Sequence, residues 1–156
     1  MWREARLRML REEAQYFSTR YEDVVREPDS TWISWVADGA AGRDKVLFVA
    51  EDDDGCMGVV GGFARLDRSE VQLISLWVDR RARGQGTARA LIRAVAEWAR
   101  ERGAERVVLF VQEANAPGRA LYASAGFVPT GDRAPVGAGR PGFKLVLAAP
   151  VDSLLA

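Results

Sequence analysis

The chain contains no histidine. That absence excludes Ser-His-Asp and Cys-His nucleophilic catalysis and the usual histidine-containing zinc sites. Acid–base chemistry is left to carboxylates, tyrosine, cysteine, lysine, the termini or bound water. Cys56 is the single cysteine, so no intrachain disulfide can form and nothing indicates an oxidising compartment. Lysine occurs only at Lys45 and Lys144; the remaining positive charge is arginine, which a GC-rich coding bias explains without invoking function. Acidic and basic residues number 22 each, so bulk charge makes no case for nucleic-acid binding. No apolar run approaches the roughly 20 residues needed to span a bilayer. The opening "MWREARLRMLREEAQYF" is charged throughout and lacks the apolar core of a signal peptide. The expectation is a soluble cytoplasmic protein with no membrane contact.

What is present suits one globular domain over residues 1–156, with neither repeats nor an internal linker. Residues 2 to about 17 place Ala5, Leu7, Met9, Leu10, Ala14 and Phe17 at helical spacing. A second helix is expected at about 30–39, capped by Asp29 or Ser30. "KVLFVAE" (45–51) and "GCMGVVGGFARL" (55–66) read as strands joined by a "DDDG" hairpin turn. "EVQLISLWV" (70–78) is a third strand. A broad apolar stripe from Ala88 to Ala99 marks a helix that Gly103 stops. "RVVLFVQ" (106–112) reads as a buried central strand. A short helix follows, from a cap at Asn115 to a stop at Gly126. "FVPT" and "FKLVLAA" (143–149) are closing strands, with the Gly- and Pro-rich "GDRAPVGAGRPG" between them expected as a mobile loop. The order is α+β with a mixed sheet, and the strand–helix–strand at 70–112 implies parallel strands.

The junction between the third strand and its helix, "VDRRARGQGTARALI", holds Gly84 and Gly86 among arginines. A helix start exposes backbone N–H groups without intrahelical partners, and the helix dipole adds positive potential there. Such a turn suits phosphate or pyrophosphate. Glycine lets the backbone approach a ligand closely, and Arg83 can add charge-assisted hydrogen bonds. A P-loop would need lysine here, and a dinucleotide fingerprint would need a small residue where Arg89 stands. A turn without a ligand also fits this stretch taken alone.

"RGQGTA" matches R-x-x-G-x-[GA], and about 30 residues later comes "NAPGRALYASAGF". Together, on a strand–helix–strand–helix frame, they resemble the acetyl-CoA signatures of the GNAT superfamily of acyl-CoA N-acyltransferases. The resemblance covers about residues 65 to 130, and the chain is similar to actinobacterial members carrying "LISMWV…RGRGVG…N…LY…GF". It implies the mixed α/β GNAT fold, with helices on both faces of a twisted sheet. It also implies a bulged third strand that splays from the next to admit the pantetheine arm of acetyl-CoA. The backbone of Leu76, Trp77 and Val78 would then face pantetheine. Arg83, Gly84, Gln85, Gly86, Thr87 and Ala88 would hold the pyrophosphate. Asn115 and Arg119 would contact the cofactor, and Tyr122 would point at the thioester sulfur. The implied reaction is direct attack of a neutral amine on the acetyl carbonyl in a ternary complex, with a strand N–H polarising the carbonyl. Tyr122, whose ordinary pKa is about 10, would donate to the departing thiolate. No metal is implied, and a homodimer is the family's habit.

Three departures from the family pattern stand out. Gln72 occupies the position where the family often has a glutamate base, and Glu70, two residues earlier on the same strand face, is the replacement candidate through a water. Arg80 replaces a frequent proline, and the strand that opens the family fold is missing or out of register. Gln72 therefore leaves open a non-catalytic acyl-CoA sensor; a nucleotide-binding module is a further alternative. "EDDDG" (51–55) reads as a turn or a metal ligand set, with the turn preferred. Cys56 suits a buried strand position. Trp32 and Trp35 suit either core or an acceptor pocket, and Glu22, Asp23, Glu27 and Asp29 either a solvated connection or a site for a cationic amine. The acceptor could be a small molecule or a peptide amine.

Overall fold

The computed structural model describes residues 1–137 and 139–156. Twelve elements run in the order α1 (Trp2–Glu12), α2 (Tyr21–Val24), α3 (Asp29–Ala41), β1 (Lys45–Asp52), β2 (Gly55–Arg65), β3 (Glu70–Val78), α4 (Thr87–Glu101), β4 (Arg106–Gln112), α5 (Ala116–Ala125), β5 (Val128–Gly137), β6 (Arg140–Pro150) and α6 (Val151–Leu155), with short 3-10 turns at Ala14–Tyr16, Leu66–Arg68 and Arg80–Ala82. The strands form one six-stranded sheet in the order β1-β2-β3-β4-β6-β5. Only β3 and β4 pair in parallel, across the α4 connection; every other neighbour is antiparallel.

Alternation along the strands sends side chains to two cores. Val60, Val71, Leu73, Val107, Leu109 and Val111 meet the Leu91–Ile92–Val95–Trp98 stripe of α4 and Val151 of α6. Val59 and Trp77 point the other way, against Trp2, Met9 and Leu10 of α1 and Trp32 of α3. The fold is thus a mixed α/β sheet with helices on both faces, of the GNAT type. No helix among the described residues is long and apolar enough to cross a membrane.

Several boundaries differ from the sequence reading. The first helix ends at Glu12 rather than near residue 17, because Glu13 leaves helical geometry (φ −128°, ψ 38°) and ties its carboxylate to Arg83. Pro28 takes the cap position of α3 and supplies no side-chain bond; Asp29 instead lies in the first turn and pairs with Arg3 at 2.8 Å. "DDDG" is the expected hairpin, with Asp52 opposite Gly55. The largest correction concerns 131–142. The segment expected as a mobile loop is a long antiparallel pair, β5 with β6, apart from Ala138, which lies outside the described residues. Its prolines and glycines coincide with register shifts between Pro129 and Arg133 and between Pro135 and Gly137, where an irregular ladder tolerates them.

Candidate active site

β3 and β4 are bonded only from Glu70–Gln72 to Arg106–Val108. Beyond Gln72 the two strands diverge. On its other edge β3 carries a bulge: Gly61 of β2 faces Ile74, but Val59 faces Trp77, so Ser75 and Leu76 stand against Val60 alone. Ser75 adopts φ 57°, a left-handed conformation that costs a non-glycine residue about 1–3 kcal/mol. The bulge bends β3 away from β4 and opens a cleft of about 1070 Å³ through the sheet. Asp79 donates its N–H to Met57 of β2. By alternation the backbone groups of Val78 and Leu76 point to the opposite edge, into the cleft.

At one mouth of the cleft lies the hinge. Asp79 accepts the N–H of Arg81 at 3.0 Å and pairs with Arg8 at 2.9 Å, which fixes the turn. That N–H and the neighbouring arginines hold the Asp79 carboxyl below its usual range. Gly84 (φ 75°) and Gly86 (φ 84°) are both left-handed, and nothing lies within 4 Å of where a Cβ would stand at either. Glycine is needed there for conformation rather than for space within the chain. Gly86 caps α4 without any side-chain bond. The N–H groups of Thr87, Ala88 and Arg89 therefore have no intrahelical acceptor and face the mouth with the positive end of the helix dipole.

The Arg83 guanidinium is engaged inside the protein. It donates to the Val78 carbonyl at 3.0 Å and to Glu13, bracing the hinge against the end of α1. Asn115 caps α5 by accepting the Gly118 N–H at 2.9 Å, and a Cβ on Gly118 would strike the Asn115 side chain at 2.5 Å. That fold-back holds the start of α5 at the rim. Tyr122, on α5, reaches the cleft from the α4 side and packs edge-on against Phe127 at 5.8 Å between ring centroids. Burial pushes its phenol up to about 12, so it keeps its proton throughout any ordinary pH.

Leu76, Trp77, Val78, Arg83, Gly84 and Gly86 all line the cleft, as do Thr87, Ala88, Asn115 and Tyr122. Three candidates from the sequence lie elsewhere. Gln85 is exposed and donates to the Arg81 carbonyl at 3.1 Å. Arg119 is exposed and donates to the Glu113 carbonyl at 3.1 Å. Glu70 is buried at the closed end of β3, where it accepts from Arg106 at 2.7 and 3.0 Å and lies 3.4 Å from Arg65. It stands five residues before Ser75, about 16 Å along a strand. The structure thus does not bring Glu70 to the cleft, and clamps it between β2 and β4 instead. Gln72, by contrast, does line the cleft.

Two residues in the cleft escaped the sequence reading. Arg6 of α1 is inserted beside the bulge and donates to the Ser75 hydroxyl. Burial lowers its guanidinium to about 10. Its signal was positional: Arg6 stands four residues after Trp2 and four before Leu10, inside the buried stripe of α1. Gln112, at the end of β4, has a buried Nε2 with no partner. Only the splaying of β3 from β4 makes that amide a cleft residue. Among the described residues, no three or more His, Cys, Asp or Glu side chains gather where they could hold a metal ion.

Comparison with known proteins agrees with this geometry. N-acetyltransferase 8B of Homo sapiens is 35% identical over 117 residues, covering 72% of this chain and 51% of that protein. The chain spans about half the length of the curated relatives it matches, or less. Nourseothricin acetyltransferase superposes with a TM-score of 0.65 at 31% identity, over 69% of this chain and 66% of that one. A GNAT-family acetyltransferase from Streptococcus pneumoniae shares the fold at TM-score 0.74 and 20% identity, over 92% of this chain and 89% of that one. Residues 6–127 match the Acetyltransferase (GNAT) family, spanning both the splayed strands and the hinge, and the chain belongs to that family.

Proposed function

We propose that the protein is an acetyl-CoA-dependent N-acetyltransferase that passes the acetyl group directly to an amine bound in the same cleft. The observation that carries this reading is the conjunction at one cleft: a parallel pair bonded over three residues and then splayed, ending at an uncapped helix N-terminus. The free edge of β3 offers the main-chain groups of Leu76 and the N–H of Val78, whose carbonyl is taken by Arg83, to an extended amide-bearing arm. The N–H groups at the start of α4 suit a pyrophosphate. The local pattern "LISLWV…RGQGTA…N…LY…GF" also supports kinship with actinobacterial members of the family.

Acetyl-CoA would supply an activated carbonyl and a thiolate leaving group. The chain's part is to position and to stabilise charge. A preorganised N–H beside the bulge would polarise the carbonyl without reorganisation. Tyr122, held protonated, would donate a hydrogen bond to the sulfur as negative charge develops there. Because its phenol is pushed to about 12, it stabilises the thiolate better than it protonates it outright. Among the described residues, the carboxylates lining the cleft are Glu12 and Glu13, and each faces an arginine, Arg8 and Arg83. With Gln72 where the family often has a glutamate, the amine would arrive neutral and release its proton to water.

Calorimetry with acetyl-CoA, followed by measurement of CoA release over a panel of amines, tests the proposal. Micromolar binding with sustained release is expected; absence of binding by the folded protein would overturn it. The lack of an unpaired carboxylate among the described cleft residues favours one second reading, a non-catalytic acyl-CoA sensor. Binding without turnover for any amine class would select the sensor.

A further inference from the structure

The two sides of the cleft differ in chemistry. Tyr122 and the hinge belong to the α4 side. The opposite side takes its residues from alternate strand positions. Val71, Leu73, Val107, Leu109 and Val111 face α4, so Gln72, Phe110 and Gln112 face away from it, toward α1. Lys144 pairs with Gln112 across β4 and β6 and shares that face. Arg6 descends onto it from α1, with Tyr16 and Phe17 of the following turn. This is the side from which an acceptor can meet a thioester held from the hinge.

Three polar groups on this face offer donors that no carboxylate of the described residues answers. Arg6 has the Ser75 hydroxyl as its hydrogen-bond partner and no carboxylate among the described residues. Gln112 Nε2 is buried and unpartnered. Lys144 Nζ sits 4.8 Å over the Phe110 ring, again with no carboxylate in salt-bridge range among the described residues. A buried guanidinium without an anion is costly, and chains keep one where a ligand supplies the anion. The positive charge is not explained by CoA phosphates, since the stretch that suits them begins at Arg83, five residues beyond Val78, and is served by the α4 terminus. Around the donors lie Phe17, Phe63 and Phe110, with Phe110 39% exposed although it sits in a central strand.

We propose that the acceptor is an α-amino acid-like molecule, whose carboxylate is held by Arg6 and whose apolar side chain lies on the phenylalanines. The inference rests on the acetyltransferase reading and adds to it the class of the acceptor. The fork of Arg6 suits a carboxylate in bidentate geometry. Because Arg6 is anchored at the bulge itself, the carboxylate and the attacking amine must be close together. An α-amino carboxylate satisfies this; a polyamine or a lysine side chain does not.

The test compares L-phenylalanine and L-leucine with their carboxamides as acceptors, by CoA release at fixed saturating acetyl-CoA. The amide's amine is less basic and more fully neutral near pH 7.5, so intrinsic reactivity favours the amide. A preference for the free acid must come from the protein. We expect kcat/KM to favour the acids by about tenfold to a hundredfold, the value of a charged hydrogen bond. Arg6→Gln should bring that ratio to one or below, in favour of the amide, and Arg6→Lys should leave a partial preference. As a readout without turnover, L-phenylalanine should raise the Tm of the protein–CoA complex while its amide does not, and Arg6→Gln should abolish the rise. Amides equal to or better than acids would overturn the proposal. So would an acid preference that survives Arg6→Gln, or turnover of spermidine or lysine peptides but of neither pair. Should the variant not fold, the wild-type ratio and Tm shift still decide. Failure of the acetyltransferase reading looks different: no acetyl-CoA binding and no CoA release with any amine.

Discussion

Tyr122 is the residue on which the proposed chemistry depends most directly. Replacing it by phenylalanine removes one hydroxyl and keeps the edge-on packing against Phe127. Turnover should fall about tenfold to a hundredfold while acetyl-CoA affinity, measured by calorimetry, changes by less than about threefold. An unchanged kcat would remove Tyr122 from the mechanism. The same residue shapes the pH profile. With its phenol pushed to about 12, Tyr122 stays protonated in assays up to pH 10 and imposes no alkaline fall. The rate should instead climb with pH until the acceptor's own amine is neutral, and the apparent pKa should move when the acceptor is changed. A fixed plateau near pH 6–7 for every acceptor would reveal a protein base. The linkage sign for stability is also defined: between pH 10 and 12 the unfolded chain ionises this tyrosine first, so stability is lost as pH rises through that window.

Arg6 sets function against stability at the same scale. A guanidinium lowered to about 10 is destabilised by burial at neutral pH. Arg6→Met should therefore raise Tm by a few degrees even as it removes acceptor selectivity. Differential scanning calorimetry measures it, and a fall in Tm would mean that the Arg6–Ser75 bond contributes more than the burial costs.

Among the elements, the hinge and the closed end of β3 do separate work. Gly86 holds a left-handed conformation at the cap of α4. A β-branched residue there costs roughly 1–2 kcal/mol and turns the first N–H groups of the helix. Gly86→Val should weaken acetyl-CoA binding at least tenfold by calorimetry with only a modest fall in Tm; unchanged affinity would place the phosphates elsewhere. Glu70 is the opposite case. It is 2% exposed and shared by the half-exposed Arg106 and by Arg65, so Glu70→Gln should cost about 1.5–3 kcal/mol, lowering the urea midpoint, because it weakens charge-assisted hydrogen bonds to a buried carboxylate. kcat at a temperature where the variant is folded should stay within about twofold. A large loss of kcat without loss of stability would restore Glu70 as a base.

At the scale of the whole molecule, the sheet works as a hinge held shut at one end. The Glu70 clamp closes β3 on β4, and the bulge at Ser75 forces them apart. Two cores then fasten the separated halves. The α4 core anchors the mouth at the start of α4, and the α1–α3 core carries Arg6 to the opposite face of the cleft. The bridge from Arg83 to Glu13 ties the hinge to the end of α1.

Most of the hinge side of the cleft was legible before any fold was known, because its determinants are local. The apolar stripe of α4, left-handed glycines before it and an Asn-x-Pro start to α5 all act within a few residues of one another. Those features determined the elements, the hinge and the family. The β5–β6 hairpin was misread because its glycines and prolines look like a loop until the facing strand supplies a register that accommodates them. Glu70 was equally opaque: an acidic residue on the expected face gives no local sign that Arg106, 36 positions away, will claim it. The α1 side of the cleft was decided by tertiary structure alone. Arg6 meets Ser75 across 69 positions of chain, and Gln112 reaches the cleft only because two paired strands part. Propensity and periodicity act over a turn or two of chain, whereas strand register and helix docking decide which distant side chains share a cavity.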